Sequence, residues 1–370
     1  FRTKAVWKLS HDPARHVDGQ GSPALTPLPV LSSVVGATTL DQDECADASS
    51  ALCKSSSKLS QASGQPFYST CCSCLSPLRH MPVSTPIKIE KLRLWAVGYD
   101  NVYRSSKEIF LALQWGARIG VFGSPPVCVA ARNHPSALEH PCEVDSNIAS
   151  EIAMGRIALI SPEVAKSESV CISPIAAIQK KGSEKFRTIN DLSFPCGASV
   201  NDALTRRPKC AYESVDDAMA MLIHLGRGVH MAKIDIKDAF RLIPVHPHDR
   251  RFLGLVWQGQ IYIDLRLPFG LRNSPPWFEA LADLLAWIIR GKLGMRDFIR
   301  YVDDFLVFAP TTSLCALRVA AIVQLFAEVG VPVNMDKLKS EGSPAQVCTF
   351  LGIELDSNLM QARLPPAKVD

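Results

Sequence analysis

Two adjacent carboxylates lie between two apolar runs in the C-terminal half of the chain. They are Asp303 and Asp304 of Tyr301-Val302-Asp303-Asp304, and residues 298–302 and 305–308 flank them. Aromatic and β-branched residues favour strands whereas Asp-Asp favours a turn, so this stretch predicts a β-hairpin with both carboxylates at its tip. Neighbouring carboxylates repel each other, and a divalent cation between them would relieve the repulsion. For an isolated Asp-Asp pair, a solvated turn that binds nothing is the alternative.

A third carboxylate, Asp235, directly follows an apolar run over residues 229–234 that predicts a strand. A carboxylate at the end of such a strand is poorly placed for packing and well placed for an exposed site. If this strand neighbours the Asp-Asp hairpin in one sheet, the three carboxylates converge. Hard cations such as Mg²⁺ prefer oxygen ligands. Two of them about 3.5–4 Å apart would clamp the attacking and leaving oxygens of a phosphoryl transfer.

The elements that would position these residues alternate between antiparallel hairpins and helices. Gly259 lies in the turn of a predicted hairpin, and Ser274 is predicted to be the N-cap of a helix that begins at Pro275 and ends at Gly291. The order of elements favours an α+β fold over an alternating parallel one. Helices are predicted over residues 106–119, 143–158, 275–290 and 313–329, and strands over residues 229–234, 252–257, 260–267, 298–302 and 305–308.

Basic residues concentrate between Lys180 and Lys209, where seven Lys and Arg residues face three acidic ones. The resulting local charge of +4 equals the net charge of the whole chain. The stretch begins with a predicted hairpin, formed by residues 171–179 and 186–189, whose turn is basic. Such a hairpin is suited to lie over a polyphosphate. An exposed edge hairpin protected by lysines is an equally good interpretation.

Composition places limits on the class of protein. The chain has 370 residues, of which 47% are hydrophobic, enough for two or three domains with a sizeable core. Residues 1–85 are rich in small residues and proline, without a persistent period, and are predicted to be disordered. No apolar run reaches 18 residues, so no membrane span is predicted. Twelve cysteines are too sparse for a disulfide scaffold, which favours an intracellular location, in the cytoplasm, the nucleus or both. Because the first residue is not Met, we expect a fragment of a larger polyprotein.

From about residue 130 to 365 the chain resembles a reverse transcriptase of the LTR-retrotransposon and retrovirus lineage, and most of all the DIRS-type enzymes. Retroviral enzymes carry Gln at the position of Phe269. Gypsy-like and DIRS-type enzymes resemble this sequence instead. A single short motif would be a weak signal, but an ordered set is specific. The matching motifs are Arg187-Thr188-Ile189-Asn190-Asp191-Leu192-Ser193, Asp235-Ile236-Lys237-Asp238-Ala239-Phe240, Leu267-Pro268-Phe269-Gly270-Leu271-Arg272-Asn273-Ser274-Pro275, Tyr301-Val302-Asp303-Asp304, Asn334-Met335-Asp336-Lys337 and Phe350-Leu351-Gly352.

The resemblance implies a catalytic role for five of these residues. Asp235, Asp303 and Asp304 would hold two Mg²⁺ or Mn²⁺ ions, with Ile236 adding its backbone carbonyl. Lys337 would protonate the pyrophosphate leaving group as a general acid, although a plain surface lysine is the alternative.

The resemblance also implies a nucleotide pocket. Lys180 and Arg187 would contact the triphosphate of an incoming dNTP. Phe240 would lie beneath the sugar and clash with a 2′-hydroxyl, which would select dNTPs over rNTPs; a core aromatic is the alternative. Gly270 would allow the backbone to approach the template–primer. The remaining residues implied for this pocket are Phe269, Arg272 and Asn273.

The fold implied by the resemblance is a right-hand polymerase of the α+β class, with fingers, a palm whose antiparallel sheet is backed by helices, and a thumb that is largely missing. The expected divisions are a low-complexity region (1–85), a helical N-terminal extension (86–165), fingers (166–228), a palm with a primer-grip hairpin (229–356) and the start of a thumb or connection (357–370).

The implied function is RNA-directed DNA synthesis for a retrotransposon. The implied partners are dNTPs and an RNA or DNA template with its primer, and RNase H and recombinase proteins of the same element are further candidates. A truncated, inactive remnant that only binds nucleic acid is the alternative.

Overall fold

The computed structural model of the protein describes residues 7–8, 76–99, 106–122, 132–180, 184–205 and 210–365. All of them belong to one compact unit formed by Phe1–His11 and Phe67–Asp370. The predicted disorder of residues 1–85 therefore falls mostly outside the described part. Residues 76–85 are folded, however, because Arg250 donates hydrogen bonds to the carbonyls of Leu78 at 2.9 Å, Met81 at 2.7 Å and Pro82 at 3.1 Å.

The described residues form a mixture of helices and mostly antiparallel strands. The helices are α1 (Pro77–His80), α2 (Ile89–Trp95), α3 (Ser106–Trp115), α4 (Pro135–Glu139), α5 (Pro141–Ala153), α6 (Pro162–Ser167), α7 (Val215–Leu225), α8 (Ser274–Gly291), α9 (Thr312–Val329) and α10 (Met335–Glu341). The strands are β1 (Trp7–Lys8), β2 (Ile157–Ile160), β3 (Ile172–Ser173), β4 (Ile175–Gln179), β5 (Phe186–Asn190), β6 (His230–Asp235), β7 (Gly254–Trp257), β8 (Gln260–Asp264), β9 (Phe298–Tyr301), β10 (Asp304–Ala309), β11 (Val347–Phe350), β12 (Ile353–Asp356) and β13 (Gln361–Arg363).

The central sheet has the order β6-β10-β9, and both pairings are antiparallel. Along β10, Asp304 pairs with Asp235 of β6 on one side and with Tyr301 of β9 on the other. The predicted hairpin is confirmed, with Val302 and Asp303 as its two-residue turn. The register also confirms that the strand ending in Asp235 neighbours this hairpin.

Helices α8 and α9 belong to the main hydrophobic core, together with the apolar residues of the central sheet. The apolar stripe of α8 is buried from Trp277 to Ile289, which accounts for the helical period of its sequence. Helix α9 packs against β6 and β10 through Cys315, Ile322 and Phe326. By length and composition alone, α9 is the one described helix that could cross a membrane. Six of its 18 residues are buried, and they belong to the main core.

Three further sheets complete the described fold. Strands β4 and β5 form the predicted hairpin, against which α4 and α5 pack. A second sheet has the order β2-β8-β7-β3 and contains the predicted hairpin around Gly259. The third has the order β1-β13-β12-β11, and its β11–β12 hairpin turns at Leu351 and Gly352, within the predicted primer-grip motif.

Two predicted helices end earlier than their apolar period indicates. Helix α3 stops at Trp115 because Gly116 has a φ of +90°, and a Cβ there would lie 2.4 Å from the backbone nitrogen of His246. Helix α5 stops at Ala153, and after Gly155 the chain continues as strand β2, paired with β8. In both cases a glycine with positive φ ends the helix, and the residues beyond it pair with segments that are distant in the sequence.

The start of α8 corrects one further prediction. Ser274 is its first residue rather than its N-cap, and the capping position belongs to Asn273. The Ser274 hydroxyl instead donates a hydrogen bond to the Pro268 carbonyl at 2.8 Å. This bond closes the loop that precedes the helix.

Candidate active site

The turn at the tip of the central hairpin has an unusual backbone. Val302, its first residue, has a φ of +53°. Two-residue hairpin turns place glycine at such a position, because a β-branched side chain is strained there. Strain of this kind costs on the order of 1–3 kcal/mol and persists only where the surrounding structure imposes it. The hairpin therefore holds Asp303 and Asp304 in a geometry that the turn sequence would not adopt alone.

The three carboxylates lie on neighbouring positions at this end of the sheet. Asp304 is directly opposite Asp235, and the Asp303 carbonyl accepts a hydrogen bond from the Ile236 amide at 2.9 Å. Burial, followed by the charge of Asp235, raises the pKa of Asp303. Burial and the charge of Asp303 raise the pKa of Asp304 to about 6. The site thus concentrates negative charge that its protein surroundings do not fully compensate.

Lys337 supplies one positive charge to this cluster. Its ammonium group forms an ion pair with Oδ1 of Asp235. Burial alone would lower the pKa of Lys337, but the hydrogen bond and the charge of Asp235 outweigh it, so the pKa is raised. Asn334 positions Lys337 in two ways: its side chain accepts a hydrogen bond from the Lys337 amide at 3.3 Å, and its own amide donates to the Asp235 carbonyl at 2.9 Å.

The donor set suits a hard cation, although the carboxylates do not form a complete metal site. No group of three or more His, Cys, Asp or Glu side chains in the described residues is arranged to hold a metal ion. The three carboxylates still lie close enough together that, besides burial, the charge of Asp235 raises the pKa of both Asp303 and Asp304, and Asp235 is paired with Lys337. Oδ1 of Asp304 is nevertheless buried without a hydrogen-bond partner. An all-oxygen donor set with an unpartnered carboxylate oxygen fits Mg²⁺ or Mn²⁺.

A cavity of about 630 Å³ lies between the β4–β5 hairpin and the central sheet. It brings together carboxylate, basic and aromatic side chains of residues that are far apart in the sequence. The predicted site residues that line it are Lys180, Arg187, Asp235, Ile236, Phe240, Phe269, Asp303 and Lys337. Asp304, Gly270 and Arg272 are not among the lining residues.

The aromatic wall of this cavity is built by Phe240 and Phe269. Their ring centroids are 5.3 Å apart, and the Arg187 guanidinium lies 5.5 Å from the centroid of the Phe269 ring. Phe240 also contacts the buried ring of Phe278, with centroids 6.1 Å apart. Phe240 thus packs on the core, as the alternative interpretation predicts, and also lines the cavity.

The loop before α8 places its remaining residues elsewhere. Gly270 has a φ of +94°, and a Cβ there would lie 2.2 Å from the carbonyl oxygen of Asn190, so its glycine is required by contact with strand β5. Arg272 is exposed, and its amide donates to the Asn201 side chain at 2.8 Å. Asn273 is buried and donates to the carbonyls of Ile119 at 2.9 Å and Thr205 at 3.0 Å. The prediction that Asn273 lies at the nucleotide pocket is wrong, because its side chain instead connects three segments of the core.

The sequence patterns did not predict a chain of ion pairs among charged residues that line the cavity. Arg156 contacts Glu151 at 3.1 Å and Asp238 at 2.8 Å. Arg241 contacts Glu151 at 3.1 Å and also pairs with Asp264. Asp264 is fully buried and ends an apolar strand, β8, as Asp235 ends β6. That shared pattern is the one signal that would have identified part of the network.

The network ends at Asn190 on strand β5. Its side-chain nitrogen donates to Asp264 at 3.3 Å, while its side-chain oxygen is buried without a partner. The ion pairs thereby join the β4–β5 hairpin to the turn that follows Asp235.

Comparison with known proteins identifies the segment that contains this site. Residues 178–355 match the family described as "Reverse transcriptase (RNA-dependent DNA polymerase)". This segment, slightly less than half of the chain, is similar to reverse transcriptase domains. It includes every residue predicted for the catalytic site and the nucleotide pocket.

The chain is similar to proteins of retroviruses and LTR retrotransposons. The chain is 26% identical over 195 residues to the Gag-Pol polyprotein of avian reticuloendotheliosis virus, covering 50% of the chain and 16% of that polyprotein. It is 26% identical over 174 residues to the Pol polyprotein from transposon gypsy of Drosophila melanogaster, covering 47% of the chain and 16% of that protein. The chain therefore spans a small part of each relative.

A solved structure shares the fold. The foamy viral protease-reverse transcriptase in complex with an RNA/DNA hybrid superposes with a TM-score of 0.53 at 18% sequence identity, covering 75% of this chain and 36% of that chain. This likeness confirms the predicted α+β polymerase fold.

Proposed function

We propose that the chain is the RNA-directed DNA polymerase of a retroelement and transfers a nucleotide from a dNTP to a primer 3′-hydroxyl. The observation that carries this proposal is the cavity that Asp235, Asp303, Arg187 and Phe240 line together. Nucleotidyl transfer requires little covalent chemistry from the protein, since positioning and charge stabilisation supply most of the catalysis. A cavity lined by carboxylate, basic and aromatic side chains meets both requirements.

The carboxylates of Asp235, Asp303 and Asp304, with the Ile236 carbonyl, are proposed to hold Mg²⁺ or Mn²⁺, two ions in all. Bound there, such ions would neutralise charge on the transferring phosphoryl group and polarise the primer hydroxyl. Their proposed place agrees with the buried, unpartnered oxygen of Asp304.

The basic side chains act on the phosphates. Arg187 and Lys180 contact the triphosphate, and the Phe269 ring helps to orient the Arg187 guanidinium. Lys337 holds a proton on its Nζ atom, since its raised pKa keeps it charged, and donates that proton to the departing pyrophosphate.

Phe240 selects the sugar in the proposed reaction. Its ring is fixed from behind by Phe278, so it cannot withdraw easily from a 2′-hydroxyl. We propose that dNTPs are preferred for this reason.

The proposed partners are dNTPs and an RNA or DNA template with its primer. RNase H and recombinase proteins of the same element are further proposed partners. We also propose a DIRS-type origin, supported by the fingers motif and by Phe269 in place of Gln. Intracellular residence, in the cytoplasm, the nucleus or both, agrees with the described cysteines, among which no disulfide is formed.

Primer extension by the 370-residue chain tests the proposed function. The assay uses an RNA template annealed to a DNA primer, dNTPs, and Mg²⁺ or Mn²⁺. Asp303→Asn removes a proposed metal ligand, and Asp216→Asn makes the same change on an exposed residue of α7 as a matched control. We expect extension by the wild type and Asp216→Asn but not by Asp303→Asn. Template–primer binding without any extension would favour the inactive remnant.

A further inference from the structure

The catalytic turn is attached to the edge of the central sheet. Among the strands that the structure describes, β9, which leads into the turn, pairs with β10 alone, whereas β10 is held on both sides. Val302 follows β9 with its strained positive φ. An edge strand with one partner gives such a turn little support, so another contact has to fix β9.

Arg300, the third residue before Asp303, makes that contact. Its side chain is buried, and its two terminal nitrogens donate to the two carboxylate oxygens of Glu279 at 3.0 and 2.6 Å. One of them also donates to Asp283 at 2.7 Å. Both acceptors lie on α8, a helix whose residues are mostly buried in the main core. A bidentate Arg–carboxylate pair restrains orientation as well as distance.

Glu213 fixes the same residue through its backbone. The Glu213 carboxylate accepts a hydrogen bond from the Arg300 amide, on the edge that has no partner strand, and it also accepts from the Arg290 guanidinium at 3.0 Å. Side chain and backbone of Arg300 are thus held independently. We refer to Glu213, Arg300 and Glu279 as the β9 clamp.

We propose that the β9 clamp positions Asp303 and Asp304 for catalysis. None of its three residues lines the cavity, so they act through the turn rather than on a substrate. A buried ion pair is a poor source of net stability, because desolvation of its charges offsets their attraction. Replacing such a pair by apolar residues of similar size is often neutral for stability. The value of this pair therefore lies in the geometry that it imposes.

The inference rests on the proposed function, and its test separates the two. The double variant Arg300→Met/Glu279→Met removes the side-chain part of the clamp, leaves the Glu213 contact with the backbone amide of residue 300, and keeps the buried volume filled. Arg300→Lys keeps the charge but loses the bidentate geometry. Arg118→Met is the matched control, since Arg118 is paired with the buried Asp249 at 2.9 Å and neither residue lines the cavity.

Three measurements are made on each variant. Thermal unfolding gives Tm, primer extension gives kcat and KM for dNTP, and amide hydrogen exchange is followed in the peptide spanning residues 298–308. For the double variant we expect a Tm close to that of the wild type, faster exchange confined to this peptide, and a kcat lower by on the order of 10- to 100-fold with KM changed less than twofold. Arg300→Lys should give an intermediate kcat, and Arg118→Met an unchanged one.

Two results would overturn the inference. One is a double variant with wild-type kcat and wild-type exchange at residues 298–308. The other is a loss of activity matched by a large fall in Tm and by faster exchange throughout the chain, which would indicate a purely structural role. If the wild type itself does not extend primers, the proposed function fails for this chain, and the exchange and Tm comparisons alone decide whether the clamp fixes the turn.

Discussion

Replacement of Gly270 by alanine should destabilise the protein through a single contact. An alanine Cβ at this position would lie 2.2 Å from the Asn190 carbonyl oxygen, whereas ordinary contacts begin at 3.4 Å. The neighbouring backbone therefore has to move by about 1.2 Å, the difference between these distances. Forcing extra atoms into a packed site costs about 1–3 kcal/mol. The positive φ adds about 1–2 kcal/mol for any residue with a Cβ.

Gly259→Ala separates the two contributions. Gly259 has a φ of +77°, but no atom lies within 4 Å of the position that an alanine Cβ would occupy, so its replacement reports the backbone cost alone. We expect Gly270→Ala to lower the free energy of unfolding by about 2–5 kcal/mol, and Gly259→Ala by about 1–2 kcal/mol. At about 2–4 °C per kcal/mol for a domain of this size, the Tm of Gly270→Ala should fall by roughly 4–20 °C.

Thermal and urea unfolding of the two variants and the wild type provide the assay. The variant with the clash should also extend primers more slowly, since Gly270 follows Phe269 in the cavity wall and accepts a hydrogen bond from Asn201 at 2.8 Å. Equal destabilisation by Gly270→Ala and Gly259→Ala would refute the reasoning, because the close approach to Asn190 would then have no energetic consequence.

Three further predictions concern side chains at the site. Phe240→Ala should admit ribonucleotides, because the ring that blocks the 2′-hydroxyl is removed. Competition between rNTPs and dNTPs in primer extension measures this. Use of rNTPs as low as in the wild type would exclude the proposed selection. Asp304→Asn should stabilise the metal-free protein, because the pKa of Asp304 in the folded state, about 6, lies above the ordinary value of 3.8. The ionised carboxylate therefore destabilises the fold above pH 6 and not below pH 4. In EDTA the gain should be about 1–3 kcal/mol at pH 8 and close to zero at pH 4, measured by urea unfolding, and an equal effect at both pH values would contradict the assignment. Arg241→Met should lower the free energy of unfolding by about 3–5 kcal/mol, because it leaves the buried carboxylate of Asp264 without its guanidinium partner. Urea unfolding tests this, with Arg363→Met as a control that breaks the more exposed pair with Glu354, and an equal loss for both variants would contradict it.

Local patterns were sufficient to predict the hairpin that carries Asp303 and Asp304, the strand that ends in Asp235, and helices α8 and α9. Each depends on a short-range period or on a turn residue next to it. The sequence analysis considered β6 and β10 as neighbouring strands because the three carboxylates would then converge at one site. The register shows that the two strands are paired.

Long-range contacts could not be predicted in the same way. The ends of α3 and α5 depend on where Gly116 meets His246 and where β2 meets β8. The burial of Asn273 and the network around Arg241 depend on segments that are distant in the sequence. No spacing rule connects such residues, since their partners are determined by how the sheets pack.

The measurement that tests the central claim most directly is primer extension on an RNA template by the 370-residue chain, with the wild type and Asp303→Asn compared side by side at equal folded concentration. We predict metal-dependent extension by the wild type and a loss of at least roughly several hundredfold in Asp303→Asn, the scale expected when a preorganised charge-stabilising group is removed. Equal extension by both proteins would contradict the assignment of the carboxylate turn as the catalytic centre.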